Sequence, residues 1–145
     1  MTSRSIFPAS VDVLAKSMAF LEERHRIISN NIANADTPFY KAKEAPLKEF
    51  QASLARALDA HRRNPSAPLT LKATDHVVDG PHGLVVTPAE ASGTDAGVLR
   101  HDGNNVSLEK EMTGLAENAM LYRMMSDLLR KQFSSLQSAI RERVD

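Results

Sequence analysis

Apolar residues recur at helical spacing from the start of the chain. Val11, Leu14, Met18, Leu21, His25, Ile28 and Ile32 follow at alternating intervals of three and four, and only His25 interrupts the run. This spacing puts one face of a helix against a neighbour. Val13, Phe20 and Ile27 flank it and widen the apolar face. The pattern predicts a helix over 11–34, capped by Ser10, with Asp12 in its first turn. At a rise of about 1.5 Å per residue it is roughly 36 Å long. Asn34-Ala35-Asp36-Thr37-Pro38 ends it, because Pro38 disfavours helical geometry at Thr37 and Asn and Asp suit turns. Residues 1–9 read as a lead-in broken by Pro8.

A short third helix is predicted over 47–60, from Leu47, Phe50, Leu54 and Leu58. The last part of the chain carries the longest pattern. Leu108, Met112, Leu115, Ala119, Tyr122, Ser126, Leu129, Phe133, Leu136 and Ile140 alternate at fours and threes behind Ser107, a good cap. They predict a helix over 107–142, roughly 54 Å long.

Composition changes between these helices. Residues 61–105 hold five of the six glycines and four of the seven prolines. Short extended candidates at 69–73, 76–78 and 83–87 lack a strong alternating pattern, so this region reads as weak β structure and mobile loop. The expected fold is therefore mainly α. Two long terminal amphipathic helices form a coiled-coil-like antiparallel hairpin, with a short third helix and a loop-rich, weakly β centre. Residues 1–60, 61–105 and 106–145 are its three segments within one structural domain. One alignment of the hairpin sets Val11 near Ile140, Met18 near Phe133 and Ile32 near Ala119. It groups the two polar interruptions, His25 and Ser126, in one layer. Phe20, Ile27, Leu121, Met124, Met125 and Leu128 lie outside a two-helix seam and must find other neighbours.

The remaining chemistry is sparse. The formal net charge is zero, with no basic face for nucleic acid. There is no cysteine, hence no disulfide or thiolate site. No stretch reaches the ~18 apolar residues that span a bilayer, and the N-terminus has no apolar signal core. No P-loop, GxGxxG or GxSxG stands in the sequence, and no enzyme is expected. His76, His82 and His101 lie near Asp75, Asp79 and Asp102, but the spacing matches no standard metal pattern. Neither a metal nor a cofactor is expected. His25 reads as a pH switch or as a hydrogen-bonded or partly exposed seam residue.

Asn30-Asn31-Ile32-Ala33-Asn34-Ala35-Asp36-Thr37-Pro38-Phe39-Tyr40-Lys41 resembles the N-terminal signature of flagellar rod and hook proteins, approximately NNIANxxTPGYK. Asp102-Gly103-Asn104-Asn105-Val106-Ser107-Leu108-Glu109-Lys110-Glu111-Met112 is similar to the DGNNVDLEKEM segment of the proximal-rod family, whose terminal helix resembles Tyr122 to Ile140. Phe39 stands where glycine is common, and a phenylalanine does not relax into positive φ as glycine does, so a different local turn is expected. Ser107 replaces an aspartate that caps about as well.

The resemblance implies a structural rod subunit, exported through the flagellar type III apparatus without signal cleavage and assembled helically around the export channel. It implies contacts with FlgC and further rod subunits, with FliE and with the MS-ring protein. It also implies subunit-interaction residues on the apolar faces and in the signature: Leu14, Met18, Leu21, Ile28, Asn30, Asn31, Ile32, Asn34, Tyr40, Leu115, Tyr122, Leu129, Phe133, Leu136 and Ile140. The asparagines read as an inter-subunit ladder or simply as helix termination. Tyr40 reads as an anchor or as a half-buried surface aromatic. The competing function is a helical adaptor or secretion chaperone that binds partner helices through the same faces.

Overall fold

The computed structural model describes residues 9–91 and 100–141. The predicted lead-in before Ala9 lies outside them. Helix α1 spans Ala9–Ala33, α2 Leu47–Arg63 and α3 Leu108–Arg141. Four short strands lie between them: β1 (Lys43–Glu44), β2 (Val77–Gly80), β3 (Gly83–Val86) and β4 (Ala89–Glu90). The chain is mainly helical, as the periodicity implies, and α1 begins a turn-fraction before Ser10, which therefore sits inside the first turn rather than capping it.

Strands β2 and β3 form an antiparallel hairpin in the register Val77↔Val86 to Gly80↔Gly83, while β1 pairs antiparallel with β4. Gly83 takes φ 118° at the hairpin turn, a conformation open to glycine at no steric cost. The inward row of the hairpin reads Val77, Asp79 on one strand and Leu84, Val86 on the other, with Val78 and Val85 outside. Asp79 occupies an inward place because Lys16 of α1 pairs with it at 2.6–2.7 Å, and the Leu71 amide donates to it at 2.9 Å.

Phe20 does not wait for another subunit. It is 1% exposed and stacks on Phe50 of α2, ring centroids 4.3 Å apart. Leu71, Val77 and Val86 complete that core cluster. The middle of the chain thus supplies the neighbour that the wide apolar face of α1 requires. Ile27 is likewise buried within the chain. Ser53 of α2 ties the same layer together by donating to the Lys72 carbonyl at 2.7 Å.

The contacts of α1 with α3 run in opposite senses along the two helices. Asn31 meets Glu111, Arg24 approaches Glu117 at 4.0 Å, and Asn118 donates to the Leu21 carbonyl at 2.9 Å. Tyr122 reaches Glu22 at 2.9 Å. The predicted alignment is wrong: Ile28, which it sets beside Arg123, faces Gly114 instead. His25 is exposed, and the Ser126 hydroxyl donates to the Tyr122 carbonyl of its own helix at 2.9 Å. Ser126 therefore needs no polar partner across the seam.

The face that α3 turns inward also differs from the apolar repeat. Its less exposed row is Glu111, Leu115, Asn118, Tyr122, Met125, Leu129, Gln132 and Leu136. Alternate members of the predicted seam, Leu115, Tyr122, Leu129 and Leu136, belong to it, whereas Leu108, Met112, Ala119, Phe133 and Ile140 are exposed. The reason is chemical. Asn118, only 1% exposed, finds a main-chain carbonyl on α1, and Glu111 finds Asn31. Two polar side chains that bond across to α1 pull the seam one step around the helix, although the Asn118 oxygen has no hydrogen-bond donor, and hydropathy alone does not register them.

Candidate assembly site

Two regions stand out: a polar clasp where the signature loops meet, and an apolar row left bare along α3. The clasp begins with Asn31 at the C-terminal end of α1, fully buried. Its amide nitrogen donates to the Lys43 carbonyl at 2.7 Å and to Glu111 Oε1 at 3.0 Å. Its oxygen accepts from the Lys43 amide at 3.0 Å and from the Tyr40 hydroxyl at 3.1 Å. All four hydrogen-bonding positions of the side-chain amide are used. Asn31 thus occupies the edge of β1 as a neighbouring strand would.

Asn104 does the same for the turn after α1, and it too is fully buried. Its amide nitrogen shares two hydrogens among the carbonyls of Asn34, Ala35 and Thr37, at 3.0, 3.1 and 2.9 Å. Its oxygen accepts from the Val106 amide at 2.7 Å. Asn105 accepts from the Ala42 amide at 2.7 Å, and Lys41 donates to the Gly103 carbonyl at 2.8 Å. Arg100 reaches the Ala35 carbonyl at 3.0 Å. These bonds tie down the carbonyls of the turn that follows α1, two of which also accept main-chain amides, and buried carbonyls cost energy when unpaired.

Phe39 corrects the expectation about this turn. It adopts φ 60°, the left-handed conformation itself, although it is not glycine. That geometry costs roughly 1–2 kcal/mol for a residue with a Cβ. The Phe39 amide donates to the Asp102 carbonyl at 2.9 Å, which helps to hold the strained backbone. Its ring lies over Gly103, where an added Cβ would come within 2.8 Å of Phe39 Cδ1; Gly103 itself has φ 76°. The turn is therefore the one a glycine would make, kept by its surroundings.

Glu111 is half-buried beneath this clasp, and desolvation raises its pKa despite the bond from Asn31. Burial, followed by the charge of Glu111, raises the Tyr40 hydroxyl as well. The folded state thus holds a proton on Glu111 more readily than the unfolded chain does. Its contribution to stability is complete below the ordinary carboxylate pKa and is lost as pH rises through the raised value. Glu111→Gln keeps the acceptor for Asn31 without the charge. Thermal melts of both proteins at mildly acidic and neutral pH are expected to show the variant losing less stability as pH rises. Parallel losses would contradict this.

The predicted interaction residues fall into three groups. Leu14, Leu21, Ile28 and Asn31 are buried inside the chain, and Met18, Ile32, Asn34, Tyr40, Leu115, Tyr122, Leu129 and Leu136 are half-buried. Asn30, Phe133 and Ile140 are exposed. Asn34 donates back to the Asn30 carbonyl at 2.8 Å, so the signature asparagines mostly bond within the chain. Asn104, Asn105, Glu111 and Asn118 were not singled out by the apolar pattern. The signal for the first two was the Asn-Asn pair in the DGNN segment; for Asn118 it was a lone amide inside an apolar helix face.

Along the outside of α3 run Met120, Met124 and Leu128 at intervals of four, with Met120 74% exposed, while Met112 lies to one side and Phe133 and Ile140, on the inward side of the helix, are exposed towards its C-terminal end. His76 pairs with Glu49 at 3.0 Å, and His82 and His101 are exposed. Among the described residues no group of three metal-ligating side chains comes together, and no helix is long and apolar enough to cross a membrane.

A mainly helical chain that spends its buried amides on closing itself, and leaves its longest helix apolar on the outside, has the build of an assembly subunit. Residues 22–41 match the family model for the flagella basal body rod protein. The chain is 30% identical over 139 residues to the flagellar basal body rod protein FlgB of Borrelia hermsii, covering 94% of this chain and 99% of that one. It is 33% identical over 138 residues to FlgB of Cereibacter sphaeroides, covering 93% and 96%, and 29% identical over 136 residues to FlgB of Bacillus subtilis, covering 94% and 96%. The chain belongs to the FlgB family of flagellar basal body rod proteins. That family is structural, and the chain is not an enzyme.

Proposed function

We propose that the chain is a structural subunit of the proximal rod, assembling with copies of itself and with other axial proteins for motility. The observation that carries this reading is full-length similarity to FlgB proteins combined with a bare apolar row on α3. Apolar surface of that extent on a soluble chain calls for a protein neighbour. In this reading α1 and α3 act as a coiled-coil-like antiparallel hairpin. The segments 1–60, 61–105 and 106–145 form one structural domain around it.

Asn30, Phe133 and Ile140 make inter-subunit contacts directly, and Met18, Ile32, Asn34, Tyr40, Leu115, Tyr122, Leu129 and Leu136 contribute their exposed edges. Leu14, Leu21, Ile28 and Asn31 shape that surface from within. The partners are FlgC and further rod subunits, FliE, the MS-ring protein and the flagellar type III export apparatus. The subunit resides in the rod, in the periplasmic space, exported without a cleaved signal peptide.

A helical adaptor or chaperone using the same faces would end as a stable dimer. Light scattering on dilute purified protein separates the two readings. A monomer is expected, because the clasp and the Phe20 core close within one chain. A stable dimer at low micromolar concentration would favour the adaptor.

A further inference from the structure

We propose that the outer row of α3 pairs with the same row of a second copy, antiparallel about a two-fold axis at Met124, in a weak homodimer that covers the row before assembly. Met120, Met124 and Leu128 lie on one exposed face, and with Ala116 they line a shallow groove. Glu117 and Lys131 stand at the two ends of that face, both exposed. An antiparallel pair centred on Met124 sets Glu117 opposite Lys131 of the second copy, Met120 opposite Leu128, and Met124 opposite itself. Beside the row, Arg123 of one copy comes next to Asp127 of the other, because like flanks meet in such a pair. Asp127 holds Arg130 at 3.2 Å in an exposed pair, and Arg24 approaches Glu117 no closer than 4.0 Å. Each carboxylate therefore has capacity for a second cation.

Other arrangements of two copies match less well. A parallel pair in register sets Glu117 on Glu117 and Lys131 on Lys131. The exposed positions of α1 and α2 carry no apolar side chain larger than alanine except Leu47, so neither helix of a second copy offers a matching row. Methionine, in contrast, adapts readily to its own kind. From Glu117 to Lys131 the seam is about 21 Å long, roughly two heptads, short of the roughly three or four that sustain a coiled coil. The pair is therefore weak, with a dissociation constant on the order of 100 µM, and dilute protein stays monomeric. A two-fold pair closes on itself, whereas a filament needs contacts that do not close. On the rod reading, the pair must open before the subunit joins the rod.

Sedimentation equilibrium on the purified chain from about 10 to 500 µM should show a concentration-dependent dimer. Glu117→Lys is expected to weaken it about tenfold, and Glu117→Lys combined with Lys131→Glu to restore it, because opposite charges then face each other again. The chain has no cysteine, so a single introduced thiol reports the register. Met124→Cys is expected to form a disulfide-linked dimer under mild oxidation. Met120→Cys, whose two copies lie about 12 Å apart along the axis, should link about tenfold more slowly. A monomer throughout the range would overturn the proposal, and protection of the Met124→Cys thiol from alkylation in isolated basal bodies alone would then assign the row to another axial protein. Equal linking at the two positions, or a double variant as weak as the single one, would overturn it as well. None of these measurements on the purified chain involves a flagellum, so the pair can fail while the rod reading stands. Absence of the wild-type chain from basal bodies would sink the rod reading alone.

Discussion

Leu136→Asp is expected to abolish swimming while leaving the protein soluble and at normal cellular levels. The magnitudes decide this. In the isolated chain Leu136 is half-buried on α3, so an aspartate there still reaches water. The monomer loses no more than the burial of part of one leucine, about 1 kcal/mol. In an assembly that covers this face, the same carboxylate is buried without a partner and costs several kcal/mol. Repeated at every subunit, that difference stops polymerisation without unfolding the monomer. Complementation of a null strain, with immunoblots of cytoplasm and isolated basal bodies, reads the two effects separately. Swimming cells with normal incorporation would show that this part of α3 is not an assembly surface.

Asn104→Ala acts on the other half of the design and should damage the monomer itself. It removes the donor for the Asn34, Ala35 and Thr37 carbonyls and the acceptor for the Val106 amide. The carbonyls keep second donors, the Thr37 amide for Asn34, Arg100 for Ala35 and the Tyr40 amide for Thr37, so it is the Val106 amide that is left without its acceptor, at roughly 1–3 kcal/mol. A loss of about 2 kcal/mol corresponds to a fall in melting temperature of about 6 °C for a chain of this size. Asn30→Ala, at an exposed position of the same signature, is the control and should cost about 0.5 kcal/mol or less. Equal melting temperatures for the two variants would mean that the clasp does not hold the signature loops together.

The sequence made the helices legible because their apolar residues repeat over many turns. The ends of α1, α2 and α3 fall within a few residues of the pattern. The register of α1 against α3 was not legible, because it is set by Asn118 and Glu111, polar residues that a hydropathy repeat counts as gaps. The middle of the chain is weakly β, as expected, but the way its hairpin packs was hidden for a related reason. Its period-two pattern is broken by Asp79 at an inward position, and the partner that makes this tolerable, Lys16, is far away in sequence. The turn at Phe39 was misjudged because intrinsic preference was weighed without the bonds that override it. Local repeats can be read from one segment. Long-range polar pairs cannot, and the site is built mostly from those. The two signature motifs, by contrast, could be seen in the sequence, though not that they bind each other.

The most direct test of the rod assignment is the protein content of purified basal bodies. Mass spectrometry of basal bodies from wild-type cells should find this chain, with its N-terminal peptides intact, together with other axial proteins. Preparations from a deletion strain should lack assembled rods. Basal bodies with complete rods but without this chain, or recovery of a chain lacking its first ~20 residues, would contradict the account.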